Sequence, residues 1–162
     1  MANDANKSTP ITVNGKRLLE EEIRRLLTVE RPAVVKAIEE ARAHGDLKEN
    51  AEYAAAKERQ GFIEGRIGYI NAVIANSQVI DPAKLNFPHI VFGATVDLTD
   101  ADSGRKVTYQ LVGVDEADIA KGKISINSPV ARALLGKKEG DEVTLTNAKG
   151  TTVYEVVGVE YK

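Results

Sequence analysis

The sequence predicts an α+β protein in two parts. An N-terminal antiparallel coiled-coil pair of α-helices occupies residues 1–80, a linker covers 81–89, and an antiparallel β-sheet domain with one short helix fills 90–162. Three observations carry this expectation. Two long stretches of helical periodicity flank Gly45. In the second, Tyr53, Ala56, Gln60, Ile63, Ile67, Ile70 and Ile74 step alternately by three and four residues, the spacing of a coiled-coil seam that needs a partner helix. Beyond His89 the pattern shifts to runs of Val, Ile, Thr and Tyr separated by turn clusters, the language of strands.

Residues Met1–Pro10 are polar and read as a frayed tail. Thr12 or Asn14 then offers a helix cap. Leu19, Ile23, Leu26, Leu27, Val34, Ile38 and Ala41 follow on one face, with Glu, Arg and Lys filling the others. Glu30-Arg31-Pro32 interrupts this helix, because proline lacks an amide donor and its ring presses on the preceding turn; a kink near Val29 is expected. Gly45 can end the helix with a positive φ, and Asp46 can begin the next. The short connection makes the helices antiparallel and places residues 43–53 at the tip of an arm. Thirty helical residues would span roughly 45 Å. Ala37, Ala41, Ala51 and Ala55 are expected to thin the arm near this tip.

Two prolines between Asn76 and His89 mark the linker. Strands are expected at 90–99, 106–114, 123–127, 142–146 and 152–160, and a short helix at 128–135, capped by Ser128 with Pro129 in its first turn.

Composition narrows the classes of function. The chain has no cysteine, which excludes a disulfide scaffold or thiolate metal site and fits a reducing, intracellular setting. No apolar run reaches the roughly 18 residues of a membrane span, and no membrane partner is expected. The first 80 residues carry 12 Lys or Arg against 12 Asp or Glu, and the remaining 82 carry 10 against 12. Neither half is the basic body of a protein that binds nucleic acid unaided.

At the tip, Asp46-Leu47-Lys48-Glu49 has two readings. It is spaced as a capping box, in which the first side chain accepts an amide of the helix and the glutamate reaches back. Alternatively the two carboxylates, one turn apart, offer oxygens to Mg²⁺, although two acids alone make a weak site for an ion that keeps several waters.

Gly45-Asp46-Leu47-Lys48-Glu49-Asn50-Ala51-Glu52-Tyr53, with Ala56-Lys57 and Glu64-Gly65-Arg66-Ile67 after it, closely resembles the tip of bacterial transcript cleavage factors of the Gre family. Arg31-Pro32, the segment 75–81, Phe92-Gly93-Ala94-Thr95-Val96 and the segment 126–132 fit the same family in order, so the resemblance spans nearly the whole chain. It implies a cytoplasmic elongation factor whose hairpin enters the secondary channel of RNA polymerase. Asp46 and Glu49 would there help hold the polymerase's second Mg²⁺ and an attacking water, and the polymerase would cut the 3′ end of backtracked nascent RNA. The factor itself is implied to be no enzyme and to bind no metal tightly alone.

The same resemblance implies that Arg42 and Lys57 contact the RNA 3′ segment, against the plain reading of a solvated helix face. Tyr53 either orients near the RNA end or, as its spacing favours, packs in the seam. Arg59 and Arg66 read as surface or interhelical ion-pair residues near Glu52, Glu58 and Glu64. Ser125, Asn127, Ser128 and Pro129 fall where the family docks on the channel rim, and also read as turn and cap residues. The family's C-terminal domain is similar in fold to FK506-binding prolyl isomerases. Isomerase activity is not expected, because such sites need an aromatic-lined pocket and this half has no Trp, two Phe and three Tyr. A channel binder that inhibits, or a coiled-coil adaptor, are the alternatives; the retained tip acids disfavour the first and the specific turn sequence the second.

Overall fold

The computed structural model describes residues 8–162, apart from the side chains of Leu47, Lys48 and Glu49. The chain forms two compact units, one of residues 16–77 and one that joins the segment ending at Gly15 to 78–162. This differs from the division expected at residues 80 and 90. Thr9 and Pro10, expected in a frayed tail, belong to strand β1 (Thr9–Thr12), which pairs with β2 (Ser77–Ile80) at the end of the stretch assigned to the helical part. The reason is a contact far apart in sequence. The Glu116 carboxylate accepts hydrogen bonds from the Thr12 amide (3.0 Å), the Thr12 hydroxyl and the Gly113 amide (2.7 Å). Thr12 in turn caps the first helix, its Oγ1 accepting from the Gly15 amide at 3.0 Å.

The helical unit is built from α1 (Val13–Arg25), α2 (Arg31–His44) and α3 (Leu47–Asn76), the last of 30 residues. Between α1 and α2 the expected fault takes the form of a π-helical turn at Leu26–Glu30, where the Arg31 amide donates to the Leu26 carbonyl. Pro32 has no amide to give the carbonyl four residues back, and widening the turn by one residue accommodates that loss. Leu27, expected in the buried face, is 40% exposed. The wide turn changes the helical phase there, while Leu19, Val34, Ile38 and Ala41 are buried. Every seam position of α3 is buried or half-buried, with Ile63, Ile67 and Ile70 most enclosed. Val34, Ile38, Ile63 and Ile67 form the cluster between α2 and α3. Ala37 and Ala41 face inward as expected, whereas Ala51 and Ala55 are exposed, because Tyr53 and Ala56 take the inward positions at that end of α3.

Bidentate ion pairs flank this seam. Arg31 donates to both Glu64 oxygens at 2.7 and 2.8 Å, and Arg66 to both Glu22 oxygens at 2.7 and 2.8 Å. Arg59 donates to Glu30 at 3.0 Å. Arg59 and Arg66 thus make interhelical ion pairs, with Glu30 and Glu22, which antiparallel packing brings alongside α3.

In the second unit, a five-stranded sheet has the order β5-β4-β3-β7-β6, with β3 at Thr95–Asp100, β4 at Lys106–Val112, β5 at Lys123–Ser125, β6 at Glu142–Asn147 and β7 at Gly150–Glu160. Pairings of β3 with β4, β3 with β7, and β6 with β7 are antiparallel, as expected. The pairing of β5 with β4 is parallel, so the sheet is mixed rather than wholly antiparallel. Two 3₁₀ turns, at Val114–Glu116 and Ile119–Lys121, carry the chain back before β5 begins, which a tight hairpin would not do. The first strand starts at Thr95 rather than Ile90, because Gly93 turns the chain at φ 89°.

Helix α4 (Pro129–Leu134) packs Ala131 and Leu134 onto Val96, Leu98, Leu111 and Val156 of the sheet. Alternation along β3 sends Val96 and Leu98 inward and Asp97 and Thr99 outward. Near the C-terminus the Tyr161 hydroxyl donates to the His89 carbonyl at 2.6 Å and accepts from the Val91 amide at 3.0 Å. Burial pushes the Tyr161 phenol above its usual range.

Candidate functional site

The tip is made by a helix end and a helix start two residues apart. Helix α2 stops because Gly45 adopts φ 73°, ψ 4°, a left-handed conformation that a residue with Cβ enters only with strain. The Asp46 carbonyl then accepts from the Asn50 amide at 2.8 Å, which makes Asp46 the residue before the first turn of α3. Its side chain is exposed. Glu49 is the third residue of α3, as the capping-box spacing requires, but its side chain, and so the geometry of the acid pair, lies outside the described residues. The free amides and dipole of a helix N-terminus favour carboxylates at these positions.

Below the turn, Arg42 of α2 reaches Tyr53 of α3. Its Nη2 donates to the Tyr53 hydroxyl at 3.4 Å, and its Cζ lies 5.7 Å from the ring centroid. The hydrogen bond from Arg42 holds the Tyr53 phenol below its usual range, with the charges of Arg42 and Lys57 acting in the same direction. Tyr53 is half-buried and packs against the cluster of Val34, Ile38, Ile63 and Ile67, the seam role its spacing favours. Lys57 is exposed and donates to Gln60 at 3.2 Å. Arg42, Tyr53 and Lys57 therefore share one face of the tip.

The second group of residues lies in the sheet unit. Ser125 ends β5 at the sheet edge; its Oγ accepts from the Asn127 amide at 3.2 Å and its carbonyl from the Ser128 amide at 2.9 Å. Ser128 caps α4, accepting from the Ala131 amide at 3.2 Å, and Pro129 occupies the first turn. Ser125 and Ser128 are half-buried and shape the turn, while Asn127 and Pro129 are exposed. A turn with two outward side chains can present them to a partner without losing its own hydrogen bonds.

The Thr12–Glu116 contact was not legible in the sequence. Thr12 carries a cap signal, but nothing near Glu116 indicates a partner 104 residues away. A groove of about 560 Å³ in the same unit is lined by Asn86, Phe87, Pro88, Lys138, Glu139 and Val159. One aromatic side chain in an open groove is not the enclosed aromatic pocket of a prolyl isomerase. Among the described residues, no group of three or more His, Cys, Asp or Glu is placed to hold a metal, and no helix is long and apolar enough to cross a membrane.

Residues 9–79 match the family described as transcription elongation factor, N-terminal, and residues 86–161 the family described as transcription elongation factor, GreA/GreB, C-terminal. The chain is similar to the transcription elongation factor GreA of Ralstonia nicotianae, 62% identical over 153 residues that cover 94% of this chain and 97% of that one. It is similar also to the GreA of Alkalilimnicola ehrlichii, at 59% identity over 153 residues with the same coverage. Among solved structures, the GreA factor homolog Gfh1 of Thermus thermophilus aligns over 94% of this chain and 99% of its own, with 26% identity and a TM-score of 0.44.

Proposed function

Because the chain belongs to the GreA/GreB family of transcription elongation factors, we propose that it binds RNA polymerase and stimulates the polymerase's own Mg²⁺-dependent cleavage of backtracked nascent RNA. The observation that carries this reading is the exposed Asp46 carboxylate, at the turn between two packed helices and at the start of a helix about 45 Å long. An arm two helices thick is narrow enough to enter a channel, and Asp46 puts an exposed carboxylate at its end.

Carboxylates are the donors a hard cation such as Mg²⁺ takes. Asp46 and Glu49 would supply two of its ligands, and the polymerase the rest. A Mg²⁺ ion so held offsets charge on the phosphodiester and makes a water easier to deprotonate. The exposed tip brings its acids to the RNA without unfolding, and the αL Gly45 fixes where α3 begins. Arg42 and Lys57 offer positive charge beside the acids, matching the phosphates of an RNA 3′ segment. Asn127 and Pro129 project from the turn ahead of α4 and would dock on the channel rim, with Ser125 and Ser128 holding that turn in shape. The factor lends side chains and performs no hydrolysis alone.

The test uses stalled, backtracked polymerase with labelled RNA. Asp46→Asn and Glu49→Gln are expected to abolish stimulated cleavage while still competing with the wild-type chain for polymerase. Retained cleavage in the double variant, or RNA hydrolysis by the isolated chain with Mg²⁺, would sink the proposal. Slower cleavage on adding the wild-type chain would favour the inhibitor alternative. Pro129→Ala or Asn127→Ala should weaken binding and leave the rate on a saturated complex unchanged; unaltered affinity removes the docking assignment.

A further inference from the structure

We propose that Arg42 is a positioning residue of the tip: its guanidinium holds the Tyr53 ring across the base of the α2–α3 turn, and through Tyr53 it fixes the start of α3, which Asp46 precedes and whose first turn carries Glu49. This rests on the reading of the tip given above and changes the part assigned to Arg42, from a bare positive charge facing RNA to a brace within the protein.

Three observations lead there. Arg42 touches Tyr53 in two ways at once, by the 3.4 Å hydrogen bond to the hydroxyl and by the placement of its Cζ 5.7 Å from the ring centroid. A planar guanidinium can do both, whereas an ammonium is a point charge. Tyr53 is anchored on its other side by the hairpin cluster of Val34, Ile38, Ile63 and Ile67, so a restraint on its ring is a restraint on the helix. Finally, the ion pairs Arg31–Glu64, Arg59–Glu30 and Arg66–Glu22 all lie farther from the turn than this contact does. The Arg42–Tyr53 contact crosses from α2 to α3 close to the turn and is therefore placed to act on its geometry.

The physical stake is positional. Acids that share a metal with a second protein must arrive within a fraction of an ångström of their place, and a misplacement of about 1 Å can lower a rate by about a hundredfold. A loosened brace would therefore reduce the rate of the saturated complex more than its affinity.

A double-mutant cycle tests this with the full chain and backtracked polymerase. Arg42→Lys keeps the charge and loses the planar contact; Tyr53→Phe keeps the ring and loses the hydroxyl. Each is expected to lower the maximal cleavage rate about tenfold, with the half-saturating concentration within about twofold of wild type. The double variant should be no slower than the slower single one, as for two halves of one contact. Wild-type rates for Arg42→Lys, effects that multiply in the double variant, or a loss seen wholly as weaker half-saturation would each overturn the brace and return Arg42 to a direct role at the RNA. A second measurement needs no polymerase: an NMR titration of the Tyr53 ring in the isolated chain. The phenol is expected to titrate at higher pH in Arg42→Gln than in wild type; identical titrations would remove the contact. If wild-type chain fails to stimulate cleavage while this shift is seen, the proposed function falls and the contact stands.

Discussion

The two units of this protein are held by different means, and the difference decides what a mutation can reveal in each. The sheet unit encloses its core: Val96, Leu98, Leu111, Ala131, Leu134 and Val156 are all without exposed surface. The hairpin has a single seam, whose central cluster is Val34, Ile38, Ile63 and Ile67, and it adds Arg–Glu pairs along both flanks. Of the hairpin's candidates, Arg42, Asp46 and Lys57 sit on exposed ground, where Asp46 can be changed with little effect on packing, while Tyr53 packs in the seam. The sheet unit's candidates are mixed. Ser125 and Ser128 hold a turn and a helix start as well as lying on the proposed docking surface, so their substitution confounds binding with folding.

This comparison can be broken at its strongest point by Leu98→Ala against Ile67→Ala. Leu98, at 0% exposure amid strands and helix, is expected to lose about 3–5 kcal/mol, and Ile67, at 6% in a seam one layer thick, about 2–3 kcal/mol. Hydrogen exchange should show the first loss in the sheet amides and the second in the helix amides. Equal losses would mean the hairpin is as well enclosed as the sheet. Ser128→Ala removes the cap of α4 and should cost about 1 kcal/mol by denaturant unfolding, before any effect on polymerase is considered.

Gly65→Ala tests the opposite sign. The position lies mid-helix in α3 and, its own helix backbone and chain neighbours aside, no atom of the described residues comes within 4 Å of an added Cβ, so the variant should gain about 0.5–1 kcal/mol. A loss would reveal a neighbour close to that face of the hairpin.

The smallest effect concerns the ion pairs and acid. The Arg66 hydrogen bond holds Glu22 below its ordinary 4.5. A depressed carboxylate stabilises above its unfolded pKa, and that contribution disappears as pH falls from about 4.5 through the lower folded value. With the Glu22 side chain 40% exposed, solvent screening limits the contribution to about a few tenths of a kcal/mol. Thermal melting of Glu22→Gln should match wild type below that window and fall slightly short of it near neutrality; a gap that persists in acid would assign the loss to packing instead.

Much of the tip and of the helices was legible because their signals are local. Gly45 needs only its own φ, and Ser128 and Pro129 announce a helix within their own turn. The seam of α3 follows from side-chain spacing alone, since apolar residues three and four apart must share a face. Leu27 escaped the same rule, because proline's missing amide altered the helical period upstream of itself.

By itself, then, the sequence determined the hairpin, its turn, the strand-rich second half and the placing of Asp46 and Glu49 at the junction of two helices. Tertiary structure decided the parallel pairing of β5 with β4, the attachment of Thr9–Thr12 to the sheet unit through Glu116, and the choice of Glu22 and Glu30 as partners of Arg66 and Arg59. The reason is range: dihedral preferences and side-chain periodicity act over one or two turns of chain, whereas strand order and cross-helix charge pairs are set by which distant surfaces the burial of apolar groups brings together.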